Sequence, residues 1–237
     1  MVKRDITVFK RHEFKYKLTR IQYLSVLERI NGHLHADEYG ETTIQSLYFD
    51  TTNWRLIIKS IEKPDYKEKL RARSYGLAGP ENKIFVELKK KYDRIVYKRR
   101  ISIPEKKLMP FVCDGESVGE GQIEKEILYF CRSYGGLTPA MLLLYDRTAY
   151  IDDESDLRVT FDLDVRYRTD RLDLRSGLDG NLLFNDGEVI MEIKTSSAYP
   201  LWLVKILSDE KIFKTSFSKY GSAYLYLLRN NKIKQLV

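Results

Sequence analysis

Segments of strand length recur along this chain, and nearly all of them alternate apolar with charged residues. Side chains two apart on a strand share a face. In KEKLRARSY the shared residues are Lys67, Lys69, Arg71 and Arg73, and basic residues dominate the charged face of five predicted strands. We predict eight strands, at 9–18, 43–50, 66–75, 83–93, 94–103, 139–152, 156–168 and 188–195. Hairpin-length connections join most of them, so the sheet should be largely antiparallel.

Amphipathic segments between these strands predict six helices, at 19–33, 53–62, 104–113, 121–134, 200–208 and 218–230. Thr19 suits an N-cap, and Pro104 and Pro200 suit helix starts. Ser216 and Ser218 are candidate caps of the last helix. The segment 169–187 reads as a long surface loop. Because no Gly/Ser or Pro-rich linker divides the chain, we predict one domain over 1–237.

Composition narrows the class of protein. Lys and Arg number 41 against 34 Asp and Glu, a net charge of +7, which favours a polyanionic partner. Cys113 and Cys131 are too few for a disulfide framework or a four-ligand zinc site. No apolar run approaches the ~18 residues of a membrane span, and the first residues carry no apolar signal region. A cytoplasmic protein is predicted.

Two interpretations of the charged faces remain open. An antiparallel sheet usually points its charges to water, so ordinary solvated surface is the default. The alternative is an α+β fold with an eight-stranded antiparallel β-barrel, apolar faces outward beneath helices and charged faces inward. Eight strands are enough to close a narrow barrel. Aligned cations repel one another and lose hydration, so such an interior requires a polyanion.

Short charged triplets favour the second interpretation. Glu-x-Lys occurs at Glu13/Lys15, Glu87/Lys89 and Glu192/Lys194. A carboxylate beside a cation can hold a divalent metal while the cation binds phosphate oxygens. An exposed ion pair explains any one triplet equally well, so the recurrence on separate strands carries the argument.

The order of motifs resembles a known family. RHEFKYKL, SLYFDT, KLRARSYG, FVELKKK, VYKRR, YDRTAY, LRVTFDLDVRYR, VIMEIKT and FSKYGSAY follow one another as in the catalytic domain of the vacuolar transporter chaperone (VTC) polyphosphate polymerases, which are triphosphate tunnel metalloenzymes of the CYTH-like superfamily. The resemblance covers about residues 9–230. It implies an eight-stranded tunnel that moves the ATP γ-phosphoryl group onto polyphosphate with Mn²⁺ or Mg²⁺.

The resemblance also implies roles for individual residues. It places catalytic cations at Arg71, Arg73, Lys89, Arg147 and Arg158. It places substrate-binding cations at Lys15, Lys98, Arg100 and Lys219. Arg166 and Lys194 join this second group because each shares a strand face with a matched residue, Arg158 and Glu192 respectively. Glu192 matches the metal-binding glutamate. Many tunnel enzymes begin with Glu-x-Glu-x-Lys, whereas this chain has Arg11-x-Glu13-x-Lys15, so the roles of Glu13 and Glu87 stay open.

Other functions remain possible from the sequence. The same tunnel could hydrolyse tripolyphosphate or nucleoside triphosphates, or bind polyphosphate without catalysis. The expected partners are ATP, polyphosphate, tripolyphosphate and diphosphate. Nucleic acid is not expected, because most aromatic residues alternate onto the apolar faces. His33-x-His35-x-Asp37 has metal-like spacing but is interpreted as surface polar residues.

Overall fold

A computed structural model of the chain describes residues 12–62, 64–93, 95–184, 187–230 and 232–233. Six helices and eleven strands lie in these described ranges, and the strands form a large antiparallel sheet. The helices are α1 (Arg20–Ile30), α2 (Arg55–Ile61), α3 (Leu108–Val112), α4 (Gln122–Ser133), α5 (Leu201–Asp209) and α6 (Lys219–Arg229). The strands are β1 (His12–Leu18), β2 (His35–Ala36), β3 (Thr42–Asp50), β4 (Tyr66–Tyr75), β5 (Lys83–Tyr92), β6 (Ile95–Pro104), β7 (Thr138–Ile151), β8 (Arg158–Arg168), β9 (Asn181–Leu182), β10 (Val189–Thr195) and β11 (Lys214–Thr215).

The predicted antiparallel sheet and six helices are therefore confirmed. Three of the eleven strands, β2, β9 and β11, have two residues each and went unpredicted, because so short a segment carries no alternation. The predicted helix at 104–113 is instead a 3₁₀ turn at Glu105–Lys107 followed by α3. The described pairings do not close the sheet into a ring, so the eight-stranded barrel is not confirmed.

The chain divides into two compact units. The first unit takes its residues from 1–42, 146–164 and 184–217, and the second from 43–145, 165–183 and 218–237. Strands β7 and β8 contribute residues to both. The strand order is β11-β1-β10-β8 in the first unit and β7-β3-β4-β5-β6 in the second.

Each unit has its own apolar core on one face of its strands. In the first unit, Tyr16, Met191 and Phe161 lie opposite one another on β1, β10 and β8, and α1 and α5 cover them. In the second, Leu70 and Leu88 lie opposite each other on β4 and β5, in a core that α3 and α4 complete. The predicted packing of helices on the apolar strand faces is thus confirmed within each unit. The charged residues are left on the other face.

Local signals at the helix starts also hold. Thr19 caps α1 through a capping box, in which its hydroxyl accepts from the Gln22 amide at 3.2 Å and the Gln22 side chain accepts from the Thr19 amide at 3.0 Å. Pro200 precedes the first residue of α5. The hydroxyl of Ser218 accepts from the Gly221 amide at 3.2 Å and caps α6. No helix in the described ranges combines the length and apolar character needed to cross a bilayer.

Candidate phosphate-binding site

The charged face of the second unit is built by strand register. Tyr48 on β3 lies opposite Arg71 on β4, Arg71 opposite Glu87 on β5, and Glu87 opposite Arg100 on β6. These residues form one row across four strands. A neighbouring row contains Lys69, Lys89 and Lys98, again directly opposite one another. The register therefore brings together several cations that the sequence separates by up to about thirty residues.

Glu87 lies at the centre of the first row, and its side chain is only 2% exposed. Arg71 Nε donates to one carboxylate oxygen at 2.9 Å, while Arg100 Nε and Lys98 Nζ reach the other at 2.8 and 2.7 Å. One negative charge thus faces three positive ones. We call Glu87, Arg71, Lys98 and Arg100 the Glu87 cluster. Its formal charge is about +2 when all four groups are ionised.

The pKa values in this cluster reflect burial and charge together. Burial favours the neutral form of Glu87, but Arg71, Arg73 and Lys98 hold its pKa well below the ordinary value. Burial lowers the pKa of Lys98 to about 8, although Glu87 opposes the change. Glu87 is therefore an anion at neutral pH, and Lys98 loses its charge earlier than an ordinary lysine.

Arg73 and Lys219 converge on a tyrosine. Arg73 Nη2 donates to Tyr145 Oη at 3.2 Å, and Lys219 Nζ lies 4.5 Å from the centre of the Tyr145 ring. Lys69 Nζ donates to the cap Ser218 at 3.1 Å. The described residues offer no carboxylate in hydrogen-bond contact with Arg73, so this region adds positive charge to the face.

Two further predicted cations lie in the second unit. Lys89 is exposed on β5 in the lysine row. Arg166 is half-buried near the end of β8, where it pairs in register with Leu182 of β9. Asp164, two residues earlier, has a φ of 46°, so the regular alternation predicted along all of 156–168 is interrupted there.

The charged face of the first unit is also set by register. Glu13 on β1 lies opposite Lys194 on β10, which lies opposite Arg158 on β8. In the next row Lys15 lies opposite Glu192. The predicted residues Lys15, Arg158, Glu192 and Lys194 are therefore neighbours, and Glu13 joins them.

Carboxylates and lysines alternate in this group. Glu192 is 2.5 Å from Lys194 Nζ and 4.0 Å from Lys15 Nζ, and Glu13 is 3.1 Å from Lys15 and 3.9 Å from Lys194. We call these four residues the Glu192 cluster. Burial favours neutral Glu192, but Lys194, Lys15 and Arg147 hold its pKa well below the ordinary value. Its formal charge at neutral pH is about zero.

Two predicted arginines of the first unit are held by aspartates. Arg147 binds the fully buried Asp162 with two bonds, Nε at 2.5 Å and Nη2 at 2.8 Å. Arg158 Nη2 donates to Asp37 at 2.7 Å. Asp37 is 9% exposed, so its interpretation as a surface residue was wrong. Burial of this carboxylate is stabilised by the guanidinium.

The metal prediction can be tested against the donor set. Within the described ranges, no three His, Cys, Asp or Glu residues gather closely enough to hold a metal by themselves. Mg²⁺ in phosphoryl-transfer sites is commonly bound by one or two carboxylates, with substrate phosphates and water supplying the rest. Glu192 and Glu13 are two neighbouring carboxylates of the kind that this mode uses, since both lie within 4.0 Å of Lys15 and of Lys194.

Sequence reasoning missed several members of these sites. Tyr48, Tyr145 and Asp162 were not singled out, and Glu87 was noted without a role. Side chains alternate between the two faces of a strand, a pattern that we call parity. Parity alone puts Tyr48 on the face opposite Leu47 and Phe49, so the sequence could have placed it on the charged face. The contacts of Asp162 and Glu87 depend on cross-strand register, which parity does not supply.

Two solved structures share the fold of this chain. A solved structure from Hippeastrum, named "Putative adenylyl cyclase" and described as having a dominant triphosphatase activity, matches with a TM-score of 0.56 at 14% identity, over 94% of this chain and 96% of that one. A structure named "putative adenylate cyclase" from Bacillus halodurans matches with a TM-score of 0.54 at 13% identity, over 89% and 96%. At these identities the likeness shows a common fold.

No curated protein sequence matches this chain. A family model described as the VTC domain matches residues 10–228, which is nearly the whole chain. That span includes every charged residue of both clusters. The chain belongs to the VTC domain family.

Proposed function

We propose that this protein is a triphosphate tunnel enzyme that moves the γ-phosphoryl group of ATP onto a polyphosphate chain. The observation that carries the proposal is the VTC domain match over residues 10–228. The eight-stranded tunnel and a cytoplasmic location are parts of the same proposal. The charged strand faces support it, because in each unit the strands pack an apolar core on one face and leave their charged residues on the opposite face.

The second unit would bind the phosphate groups. The Glu87 cluster keeps about two positive charges, and Arg73, Lys89 and Lys219 add more. Arginine can present two parallel donors to phosphate oxygens, and lysine contributes a point charge. Phosphoryl transfer depends mainly on such positioning and charge stabilisation. Arg71 would orient a phosphate with the donors that Glu87 leaves available, and Arg166 would add a contact. In the first unit, the proposed phosphate-binding cations are Lys15, Arg147, Arg158 and Lys194.

Glu192 and Glu13 would hold a divalent metal, Mn²⁺ or Mg²⁺. The bound ion would neutralise charge on phosphate oxygens. Lys15 and Lys194, which now contact both carboxylates, would then be released to bind phosphate oxygens. The acceptor oxygen at the end of a polyphosphate chain is already ionised, so no side-chain base is required.

Hydrolysis is the second candidate, because a protein with the same fold is described with a dominant triphosphatase activity. Water would then replace the polyphosphate acceptor and the substrate would be tripolyphosphate or a nucleoside triphosphate. Polyphosphate binding without catalysis is the third candidate. It requires the cations but not Glu192, so Glu192→Ala would leave the biological role intact.

One assay separates the three. The purified protein is incubated with γ-labelled ATP and Mn²⁺, and the products are resolved on a gel. Polymerisation gives a labelled ladder of long polymer, and hydrolysis of ATP gives labelled phosphate alone. Hydrolysis of tripolyphosphate gives inorganic phosphate in a parallel incubation with that substrate, and a binding module gives none of these products. Arg71→Ala should abolish the product, whereas Lys106→Ala, at a surface pair with Glu81, is the matched control. Labelled phosphate without polymer would contradict polymerisation. Label that stays on ATP, with no phosphate released from tripolyphosphate, would contradict both enzymatic activities.

A further inference from the structure

Tyr48 occupies a fixed place at the Glu87 cluster. Its Oη accepts a hydrogen bond from Arg71 Nη1 at 3.2 Å. Its ring stacks on Tyr220, with centroids 4.3 Å apart and planes 15° from parallel. The residue is only 9% exposed. The phenol is therefore held from two sides, by a hydrogen bond and by ring stacking.

Arg71 is fixed by the same arrangement. Glu87 accepts from Nε at 2.9 Å and lies 2.8 Å from Nη2, while Tyr48 takes Nη1. A guanidinium has five donors, so this geometry leaves two, one on each terminal nitrogen. The plane of Arg71 is set before any ligand arrives, which reduces the entropy lost on binding.

The hydroxyl proton of Tyr48 has no acceptor among the described residues. Because Oη already accepts from Arg71, that proton must point elsewhere. The charged groups facing the ring are the cations Lys69, Arg71 and Arg73 from β4. The phenol of Tyr220 on α6 donates to Asp50 at 2.9 Å and so takes up that carboxylate. Tyr48 thus offers a donor in a cationic setting, where the missing acceptor is an anion.

We propose that Tyr48 is a substrate-binding residue whose hydroxyl donates to a non-bridging phosphate oxygen of the chain that Arg71 holds. The assignment rests on the proposed function and deepens it. Arg71 and Tyr48 together give three donors on one side of a phosphate group, with fixed relative positions. The site residues expected from the sequence did not include Tyr48, since its contribution depends on the hydrogen bond to Arg71.

The charge environment makes the contact measurable. Burial alone would raise the pKa of Tyr48, but Arg71, Lys69 and Arg73 lower it to about 8. A bound phosphate chain brings negative charge beside the phenol and favours its neutral form. Binding should therefore raise the pKa of Tyr48. Phenolate absorbs near 295 nm, and the lower pKa of Tyr48 separates its ionisation from that of the other tyrosines.

The experiment is a titration at 295 nm from pH 6.5 to 9.5, without metal, with and without saturating tripolyphosphate. Without tripolyphosphate, wild type should show about one tyrosine ionising near pH 8. With tripolyphosphate, that step should move to higher pH. Tyr48→Phe keeps the stacked ring but should lose the early step and bind tripolyphosphate about ten- to a hundredfold more weakly, the size expected for one hydrogen bond to a charged group. Tyr224→Phe, which removes a buried hydroxyl without a described partner, should change neither.

Each alternative result has a distinct meaning. An early step that stays in place at saturating tripolyphosphate, or a Tyr48→Phe protein that binds as tightly as wild type, would overturn the assignment of Tyr48 alone. Wild type that fails to bind tripolyphosphate would overturn the proposed function and the assignment with it. The wild-type titration needs no variant, so the test holds even where a variant folds poorly.

Discussion

The two charged clusters solve the problem of crowded charge in different ways. The Glu87 cluster sets one buried carboxylate against two arginines and a lysine, and keeps an excess of positive charge. The Glu192 cluster alternates two carboxylates with two lysines and comes close to balance. Arginine is a rigid planar donor, whereas lysine is a flexible point charge. From this difference we expect the first arrangement to hold phosphate in a fixed position and the second to exchange its ionic partners.

The largest expected effect is a loss of folding stability when the carboxylate at the centre of the Glu87 cluster is removed. Glu87→Gln leaves three cations around a buried neutral group, and breaking such a buried ionic group typically costs about 3–5 kcal/mol. We expect the lower end, about 3 kcal/mol, because Lys98 and Arg100 are partly exposed. Urea denaturation at pH 7 measures the loss.

Two controls bound that result. Glu126→Gln breaks a surface pair with Arg99 and should cost less than about 1 kcal/mol. Glu192→Gln should cost less than Glu87→Gln, since Glu13 still contacts both lysines after the substitution, whereas the Glu87 cluster has no second carboxylate. Equal losses in the two glutamine variants would show that the clusters are electrostatically equivalent.

Catalysis should reverse that order. Glu192→Gln removes the negative charge of the proposed metal ligand with little change in shape, so we expect metal-dependent turnover to fall by about a hundredfold or more, which is roughly 2.7 kcal/mol of barrier. Binding of tripolyphosphate without metal should survive, because the cations remain. Turnover is measured across a Mn²⁺ titration, with isothermal calorimetry for binding. Turnover that matches wild type at every metal concentration would remove Glu192 from the metal site.

Tripolyphosphate should stabilise the folded protein by relieving repulsion among the cations. At about one hundred times its dissociation constant, a ligand specific for the folded state adds ~2.7 kcal/mol, which raises Tm by several degrees for a chain of this size. Added salt should reduce the shift. Arg71→Ala should reduce it more than Arg158→Ala, since Asp37 balances the charge of Arg158, whereas the cluster around Arg71 keeps about two positive charges.

Sulfate at equal ionic strength is the control for that shift. If sulfate stabilises the protein as much as tripolyphosphate does, the charged faces are ordinary anion-attracting surface. The same conclusion follows if neither arginine variant reduces the effect.

Parity and register explain how much of this could be predicted from the sequence. Alternation in KEKLRARSY and VIMEIKT placed Arg71, Arg73 and Glu192 on charged faces correctly, because period two is a local property. The two-residue strands β2, β9 and β11 lack that period. Partner choice is not local either. Arg147 with Asp162 and Arg158 with Asp37 depend on where distant segments meet, so the sequence predicted the cations but not the carboxylates that hold them.

The smallest expected effect is a pH dependence that separates the clusters without a ligand. Lys98 has a pKa of about 8 in the folded protein against ~10.4 for lysine in an unfolded chain. Between these values the unfolded state binds more protons, so this group makes stability rise with pH from about 8 to 10. Tyr48, with its pKa lowered to about 8, acts in the same direction. The Glu192 cluster responds at acidic pH instead. The pKa of Glu192 is lowered, so its contribution to folding stability is present above the ordinary glutamate pKa and is lost as pH falls below that value.

Urea denaturation at pH 7.5, 8.5 and 9.5 should show a shallow rise in the stability of wild type, a flatter profile in Lys98→Met, and an unchanged rise in Lys106→Met, whose lysine is paired at the surface. The rise should be modest because the Lys98 side chain is 41% exposed and water screens its charge. A wild-type profile that falls over this range, or a Lys98→Met profile as steep as that of wild type, would mean that Lys98 titrates as a solvated lysine and that the positive charge of the second unit is not confined around Glu87.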